Sequence, residues 1–429
     1  MVHVVNDIEI SPERLIRRLD ELAEIGAITG PRGHAGSSRL ALTDDDRRGR
    51  DLVMTWMRDL GLEITVDAIG NVVGQMPSDS GLAPVMCGSH IDTVGTGGRF
   101  DGNLGVLAGL EVIESVMSAG VQLPRPLAVA FFTDEEGARF PPDMLGSLVY
   151  AGGMALEAAQ NIVAVDGTGA TVGSELERIG YLGAAPCPGP APHAFVELHI
   201  EQGPVLEQMG RRVGAVTGVQ GISWTAVELR GVSNHAGTTP MSMRCDPMFV
   251  VGHMTAFLRS LATEIGAPQV ATVGRVELHP NLINVIPASA TFTIDVRHTD
   301  DKVLREVEQR VDDELHRVAA AEGVSVSTET LARFEPVVFD ERVVATVVAA
   351  ARRRGEEPVV MPSGAGHDAQ MLARMCPTAM IFTPSIGGIS HNPAEDTAVD
   401  DLALGCQLLA DVMVDLAADR HLQDEGIAR

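Results

Sequence analysis

The sequence predicts an α/β protein, a mixed sheet with helices on both faces, interrupted by a smaller inserted α+β domain. Three observations predict it. The apolar runs APVMCGSHIDTV (83–94) and LAVAFFTDEEG (127–137) end abruptly in polar residues, as buried strands of a helix-covered sheet do. Helical stretches such as 104–119 alternate with them. From about residue 213 the pattern changes to the order β-α-β-β-α-β, that of a ferredoxin-like split unit.

Each element has a local reason. Thr43 and the acids Asp44 to Asp46 offer a cap and a first turn for a helix with Leu52, Val53, Trp56, Met57 and Leu60 on its apolar side, and Gly61 stops it. In the insert, GISWTAVELRG (221–231) alternates like a half-exposed strand, and 246–265 reads as a helix. ATVGRVEL (271–278) and ATFTIDVRH (290–298) read as strands. The spacing of Leu304, Val307, Val311, Leu315 and Val318, with Asp300 and Asp301 ahead of them, predicts a helix over 299–322. A last strand covers 324–332. The expected organisation is therefore an inserted domain over 213–332 within a discontinuous domain formed by 1–212 and 333–429.

Composition narrows the function. With 45% hydrophobic and 21% charged residues the chain is globular. Its 32 Lys and Arg against 58 Asp and Glu give a charge of −26, which repels a phosphate backbone and argues against nucleic-acid binding. No apolar run reaches the ~18 residues of a membrane span. The start MVHVVNDIEISPERL is acidic where a secretory signal is positive. Five cysteines lie far apart, without a C-x-x-C pair, as expected of reduced thiols in a cytoplasmic protein.

Five acid- or histidine-bearing patches fall at strand ends or in Gly-rich turns: GSHIDTV (88–94), GGRFDGNLG (97–105), TDEEGARF (133–140), ELHIEQG (197–203) and GGISHNPAED (387–396). In α/β sheets ligands bind at the carboxyl ends of strands. Imidazole and carboxylate together suit zinc, manganese or cobalt, so a metal site is expected there. The run GTGGRFDG lacks the G-x-G-x-x-G spacing of a nucleotide loop, and no Walker lysine follows.

With HIEQGPVLE and SGAGHDAQ, these segments resemble the amidase/carbamoylase branch of the di-metal aminoacylase and carboxypeptidase clan. That branch includes N-carbamoyl-L-amino acid amidohydrolases, allantoate amidohydrolases and β-ureidopropionases. The resemblance covers essentially the whole chain and implies a di-metal exopeptidase-like catalytic domain with the insert as lid and dimerisation domain. It implies two divalent metals (zinc or manganese, with cobalt or nickel also suited), one held by His90, Asp101 and His199 and the other by Asp101, Glu136 and His391. Asp101 is then the bridge. Asp92, two residues after His90, would accept the other ring N–H of that histidine. Glu135 would be the general base and then acid.

The resemblance further implies that Arg297 clamps a substrate carboxylate with its guanidinium fork. Asn284 and Gln202 would be amide partners to the same end of the ligand, and His235 a lid residue polarising the scissile carbonyl. SGAGHDA, with Gly364 and Ala365, would line the pocket with backbone N–H groups. The expected activity is hydrolysis of an N-carbamoyl (ureido) group from a small carboxylic acid by a homodimer. An aminoacylase or dipeptidase of the same clan is the alternative reading, and a non-catalytic ligand-binding relative a third.

Overall fold

The computed structural model describes residues 8–418, and the chain divides into two compact units, 219–337 and the remainder. In the larger unit a mixed sheet runs, strand by strand, Gly214–Val219, Thr378–Thr383, Ala194–Ile200, Val85–His90, Leu127–Phe132, Val72–Gln75 and Glu63–Val66. Val359–Ser363 pairs beside Gly214–Val219. From Thr378–Thr383 to Leu127–Phe132 the neighbours are parallel. The flanking pairs are antiparallel.

The parallel strands are buried at every position, which accounts for their unbroken apolar runs. The helix Asn103–Ser118 packs against this sheet and against Val399–Ala418, and is buried nearly all round. Asp44–Asp59 begins where expected: Thr43 Oγ1 accepts from the Asp46 N–H at 3.3 Å. It ends at the Leu60 cap, and Gly61 follows at φ +70°. None of the helices among the described residues is long and apolar enough to cross a membrane.

In the smaller unit the antiparallel sheet runs Val270–His279, Ser289–His298, Gly221–Arg230, Ser325–Phe334. The helices Pro247–Ile265 and Asp301–Glu322 pack on it, so the chain order is β-α-β-β-α-β. Burial alternates strictly along Ser289–His298, the signature of a sheet with one covered face. Phe292, Ile294 and Val296 meet Leu304, Val307, Val311 and Leu315 of the second helix in one core. Asp300 caps that helix by accepting from the N–H groups of Lys302 and Val303. The edge strand Val270–His279 is largely exposed.

Candidate metal centre

Among the described residues three groups of side chains in the larger unit could hold a metal ion, and two of them share Asp101. One is His90, Asp101 and His199; the other is Asp101, Glu136 and His391. His90 and His199 lie at or beside the carboxyl ends of adjacent parallel strands. Asp101 sits in the turn before the helix Asn103–Ser118. There Gly102 has φ +66°, and a Cβ on it would lie 2.4 Å from the His90 ring, so the turn admits no larger residue. His391 follows the strand Thr378–Thr383 on a loop, itself at φ +53°.

The donor atoms have ligand spacing. His199 Nε2 lies 3.2 Å and His90 Nε2 3.8 Å from Asp101 Oδ1. His391 Nε2 lies 3.3 Å from both Asp101 Oδ2 and Glu136 Oε2. Bonds of about 2.0–2.1 Å in a tetrahedron set donors roughly 3.4 Å apart. The two oxygens of Asp101 face different groups, the arrangement a bridging carboxylate needs. Ring tautomers agree: His90 Nδ1 bonds the Asp92 carbonyl at 2.9 Å and His199 Nδ1 the Ile200 carbonyl at 2.8 Å. Carbonyls only accept, so Nδ1 carries a hydrogen in both rings, and in the neutral ring each Nε2 lone pair is left for a metal.

Electrostatics also suit a cation. Burial, then Asp368 and Glu136, hold the Glu135 carboxyl well above the usual carboxylate range. Burial, then Asp101 and Asp92, do the same to Glu136. Asp101 goes the other way: burial opposes its charge, but the hydrogen bonds with His199 and His391 outweigh it and hold the carboxyl well below the usual range. Burial lowers His90 to about 4, leaving a neutral ring, as ligation requires. His199 goes the other way: burial opposes its charge, but the hydrogen bond with Asp101 and that carboxylate's charge outweigh it and raise the ring to about 9, so a metal there would displace a proton. Several carboxylates thus crowd a buried space that a divalent cation would neutralise. Glu135 Oε2 stands 3.3 Å from His90 Nε2, beside the ligand group and outside it.

The expected role of Asp92 needs correction. The His90 ring N–H goes to its main-chain carbonyl, while its carboxylate stands 4.0 Å from Nδ1. The carboxylate accepts instead from the backbone N–H groups of Glu135 and Glu136, each at 3.3 Å. The strand ends at His90, so the two-residue alternation that aligned Asp92 with His90 no longer applies. Asp92 therefore anchors the loop that presents both glutamates.

Gln202, at φ +56°, donates its side-chain amide to Asp101 Oδ2 at 2.9 Å. Its expected place opposite the substrate carboxylate is taken, in this structure, by a partnership with the shared ligand. The Ala365 N–H donates to Ser363 Oγ at 3.1 Å, within its own loop; Gly364 precedes it there. In the smaller unit, the Ala236 N–H donates to the Asn284 carbonyl at 3.0 Å, which sets Asn284 beside His235. The N–H groups of Gly237 and Thr238 donate to His235 Nδ1 at 3.0 and 3.2 Å. In the neutral ring this leaves the hydrogen on Nε2. Arg297 forks onto Asp295, with Nη2 to Oδ2 at 2.9 Å and Nε to Oδ1 at 3.1 Å.

Four polar residues around the ligands were not anticipated. Ser390 Oγ, with one hydrogen to donate, stands between Asp101 Oδ2 at 3.1 Å and Glu395 Oε2 at 3.0 Å. Glu395 Oε1 accepts from the N–H groups of Phe100 and Asp101 at 3.0 and 3.2 Å. Glu197, two residues before His199, accepts from Ser89 Oγ at 2.6 Å and from the Ala369 N–H at 2.8 Å. The His367 ring lies edge-on to His199, centroids 4.6 Å apart. Glu197, His199 and His367 could also form a metal group, but both Glu197 oxygens and His367 Nε2 already have hydrogen bonds. Glu197 was within reach of strand alternation; Ser390 and Glu395 stood in the GGISHNPAED run with no signal separating them from solvated loop residues.

The chain is similar to known proteins along most of its length. Residues 86–415 match peptidase family M20/M25/M40. The chain is 39% identical to an N-carbamoyl-L-amino-acid amidohydrolase of Rhizobium meliloti, over 95% of this chain and 97% of that protein. It is 40% identical to an allantoate amidohydrolase of Escherichia coli, over 83% of this chain and 87% of the other. The solved structure of a hydantoinase/carbamoylase-family amidase from Burkholderia multivorans matches at a TM-score of 0.89 and 42% identity, covering 96% of this chain and 99% of that one. By its profile, its relatives and its fold, the chain belongs to peptidase family M20/M25/M40.

Proposed function

We propose that the chain is a metal-dependent amidohydrolase that removes the N-carbamoyl group from a small ureido acid. One ureido group and one water give the free amino group, carbon dioxide and ammonia. The observation that carries this is Asp101 presenting one oxygen to each ligand group, with Glu135 beside them, in a chain akin to carbamoyl-amino-acid and allantoate amidohydrolases.

In this reading His90, Asp101 and His199 hold one divalent cation and Asp101, Glu136 and His391 the other, zinc or manganese with cobalt or nickel also suited. When bound, a metal pair supplies Lewis-acid polarisation of a carbonyl and activation of water. Glu135 takes the proton of the attacking water on its carboxylate and delivers it to the leaving nitrogen. Its raised pKa suits both halves of that task. Asp92 holds the Glu135 and Glu136 backbone so that one carboxylate faces the ligands and its neighbour the water. His235, with its hydrogen on Nε2, donates to the substrate carbonyl. Arg297 reads the substrate carboxylate, exchanging its Asp295 partner for it, and Asn284 assists.

The smaller unit serves as lid and, through the exposed edge Val270–His279, joins two copies into a homodimer. The five free thiols suit a cytoplasmic enzyme. The test measures release of ammonia from a panel of ureido acids, and release of free amino acid from N-acyl amino acids and dipeptides, by the metal-reconstituted protein. Turnover confined to ureido acids supports the reading. Turnover of acyl or peptide bonds alone sinks it. On one ureido acid and its neutral amide, Arg297→Lys should lower kcat/KM for the acid only; equal losses would remove Arg297 from substrate recognition.

A further inference from the structure

Arg39 lies in none of the patches that pointed to chemistry, yet its side chain is fully buried. Its Nε donates to the Ile91 carbonyl at 2.7 Å. Nη1 donates to the carbonyls of Leu22 and Ile25 at 3.0 and 2.8 Å and to Ser37 Oγ at 3.3 Å. Nη2 donates to Asn103 Oδ1 at 2.8 Å. All these acceptors are neutral, and among the described residues no carboxylate oxygen lies within 4.0 Å of the guanidinium. Burying a cation without a paired anion is costly, so this placement asks for a reason.

Its contacts supply one. Ile91 lies between His90 and Asp92, and Asn103 lies two residues after Asp101. A single guanidinium therefore ties together the chain segments that carry two residues of the buried ligand group. The backbone adds to the tie: the Arg39 N–H donates to Thr93 Oγ1 at 2.7 Å and the Thr93 N–H to the Arg39 carbonyl at 3.0 Å. Space for the arginine stem is reserved from outside, because a Cβ on Gly49 would sit 2.9 Å from Arg39 Cδ.

We propose that Arg39 is a positioning residue for the metal centre: a buried cation that fixes His90 and Asp101 at ligand spacing. The proposal rests on reading His90 and Asp101 as ligands, so the experiment tests that reading separately. The full-length protein is stripped with a chelator, and its affinity for Zn²⁺ alone is measured by chelator competition, with thermal unfolding recorded in parallel. His90→Ala tests the ligand reading; if it binds Zn²⁺ like wild type, that reading fails whatever Arg39 does. Arg14→Gln, which breaks the pair with Glu111 at 2.6 Å, is the control for plain destabilisation and should leave Zn²⁺ affinity alone.

Arg39→Met should weaken Zn²⁺ binding about 10–100-fold, the usual scale for residues that orient ligands, and Arg39→Lys should recover part of it. Asn103→Ala, which removes only the Nη2 acceptor, should give a smaller loss in the same direction. Arg39→Met and Asn103→Ala that stay folded and bind Zn²⁺ within about twofold of wild type, while His90→Ala does not, overturn the proposal. Should Arg39→Met fail to fold, Asn103→Ala decides it by the same criterion.

Discussion

Two glutamates, one in each unit, meet opposite fates. Glu135 is buried among other acids, and burial first, then Asp368 and Glu136, push its carboxyl well above the usual range. Glu314, on the helix Asp301–Glu322, bonds Arg317 at 2.6 Å and His253 at 2.5 Å, and these hydrogen bonds pull it down to about 2. The side chains are identical; the surroundings differ. An acid kept in a buried cluster of like charge is poised for a cation and for proton transfer, whereas an acid already matched to Arg and His is merely solvated structure.

The sharpest way to break this comparison is Glu135→Gln. It should keep its metals and lose kcat by about 10²–10⁴-fold, since only the proton carrier is gone. Metal analysis beside turnover checks it; a protein emptied of metal would show that the adjacent glutamates have exchanged roles.

Next come the two histidines at opposite ends of Asp101. His199, 1% exposed and held at Nδ1 by a carbonyl, should be indispensable to its ion, while His391, 52% exposed on a loop, holds the more exchangeable one. His199→Ala should therefore deplete metal more deeply than His391→Ala. Equal depletion would mean that burial does not rank the two groups.

Asp92→Asn places an amide where two backbone N–H groups require acceptors, and a loss of about 10–100-fold in kcat/KM follows from loosening both glutamates. An unchanged kcat/KM would confine Asp92 to a turn.

Stripping the metals should lower the melting temperature, and more so as pH rises. The folded-state pKa of Glu135 and Glu136 is raised, so the metal-free fold is penalised once pH exceeds the unfolded value of about 4.3. Calorimetry of stripped protein from about pH 5 to about pH 8 should show a falling melting temperature, and a flat profile would remove the electrostatic account of the site.

The smallest effect belongs to Glu314. Its pKa is depressed, so its contribution is present above about pH 4.3 and is lost as pH falls toward about 2. Glu314→Gln should cost less than about 1 kcal/mol at neutral pH, as surface pairs do, with the difference vanishing in acid. A cost several times larger would place this pair among the structural supports of its helix.

The two units also differed in how far they could be read in advance. In the smaller one a single face of the sheet is covered, so the alternation of Ser289–His298 and the spacing of Leu304 to Val318 stand in the sequence, and the expected 299–322 helix forms over Asp301–Glu322. The larger one buries its central strands on both faces, so its strands had to be recognised from apolar runs and the polar bursts after them. Those bursts carry the candidate donors because metal donors belong to few residue types. Glu395 and Ser390 escaped notice, since a buried acid reads like any loop acid until Asp101 is folded against it.

The sequence by itself determined the periods of helix and strand, the caps and the kinds of donor at strand ends, all of which depend on neighbours a few residues away. Only the tertiary structure decided which atom of Asp92 meets His90, that Gln202 turns to Asp101, and that Arg39 binds the Ile91 carbonyl and Asn103. Apart from the His90–Asp92 contact, these bonds join residues 52 to 101 positions apart. Geometry of that kind is set by how the chain packs, and local sequence carries no record of it.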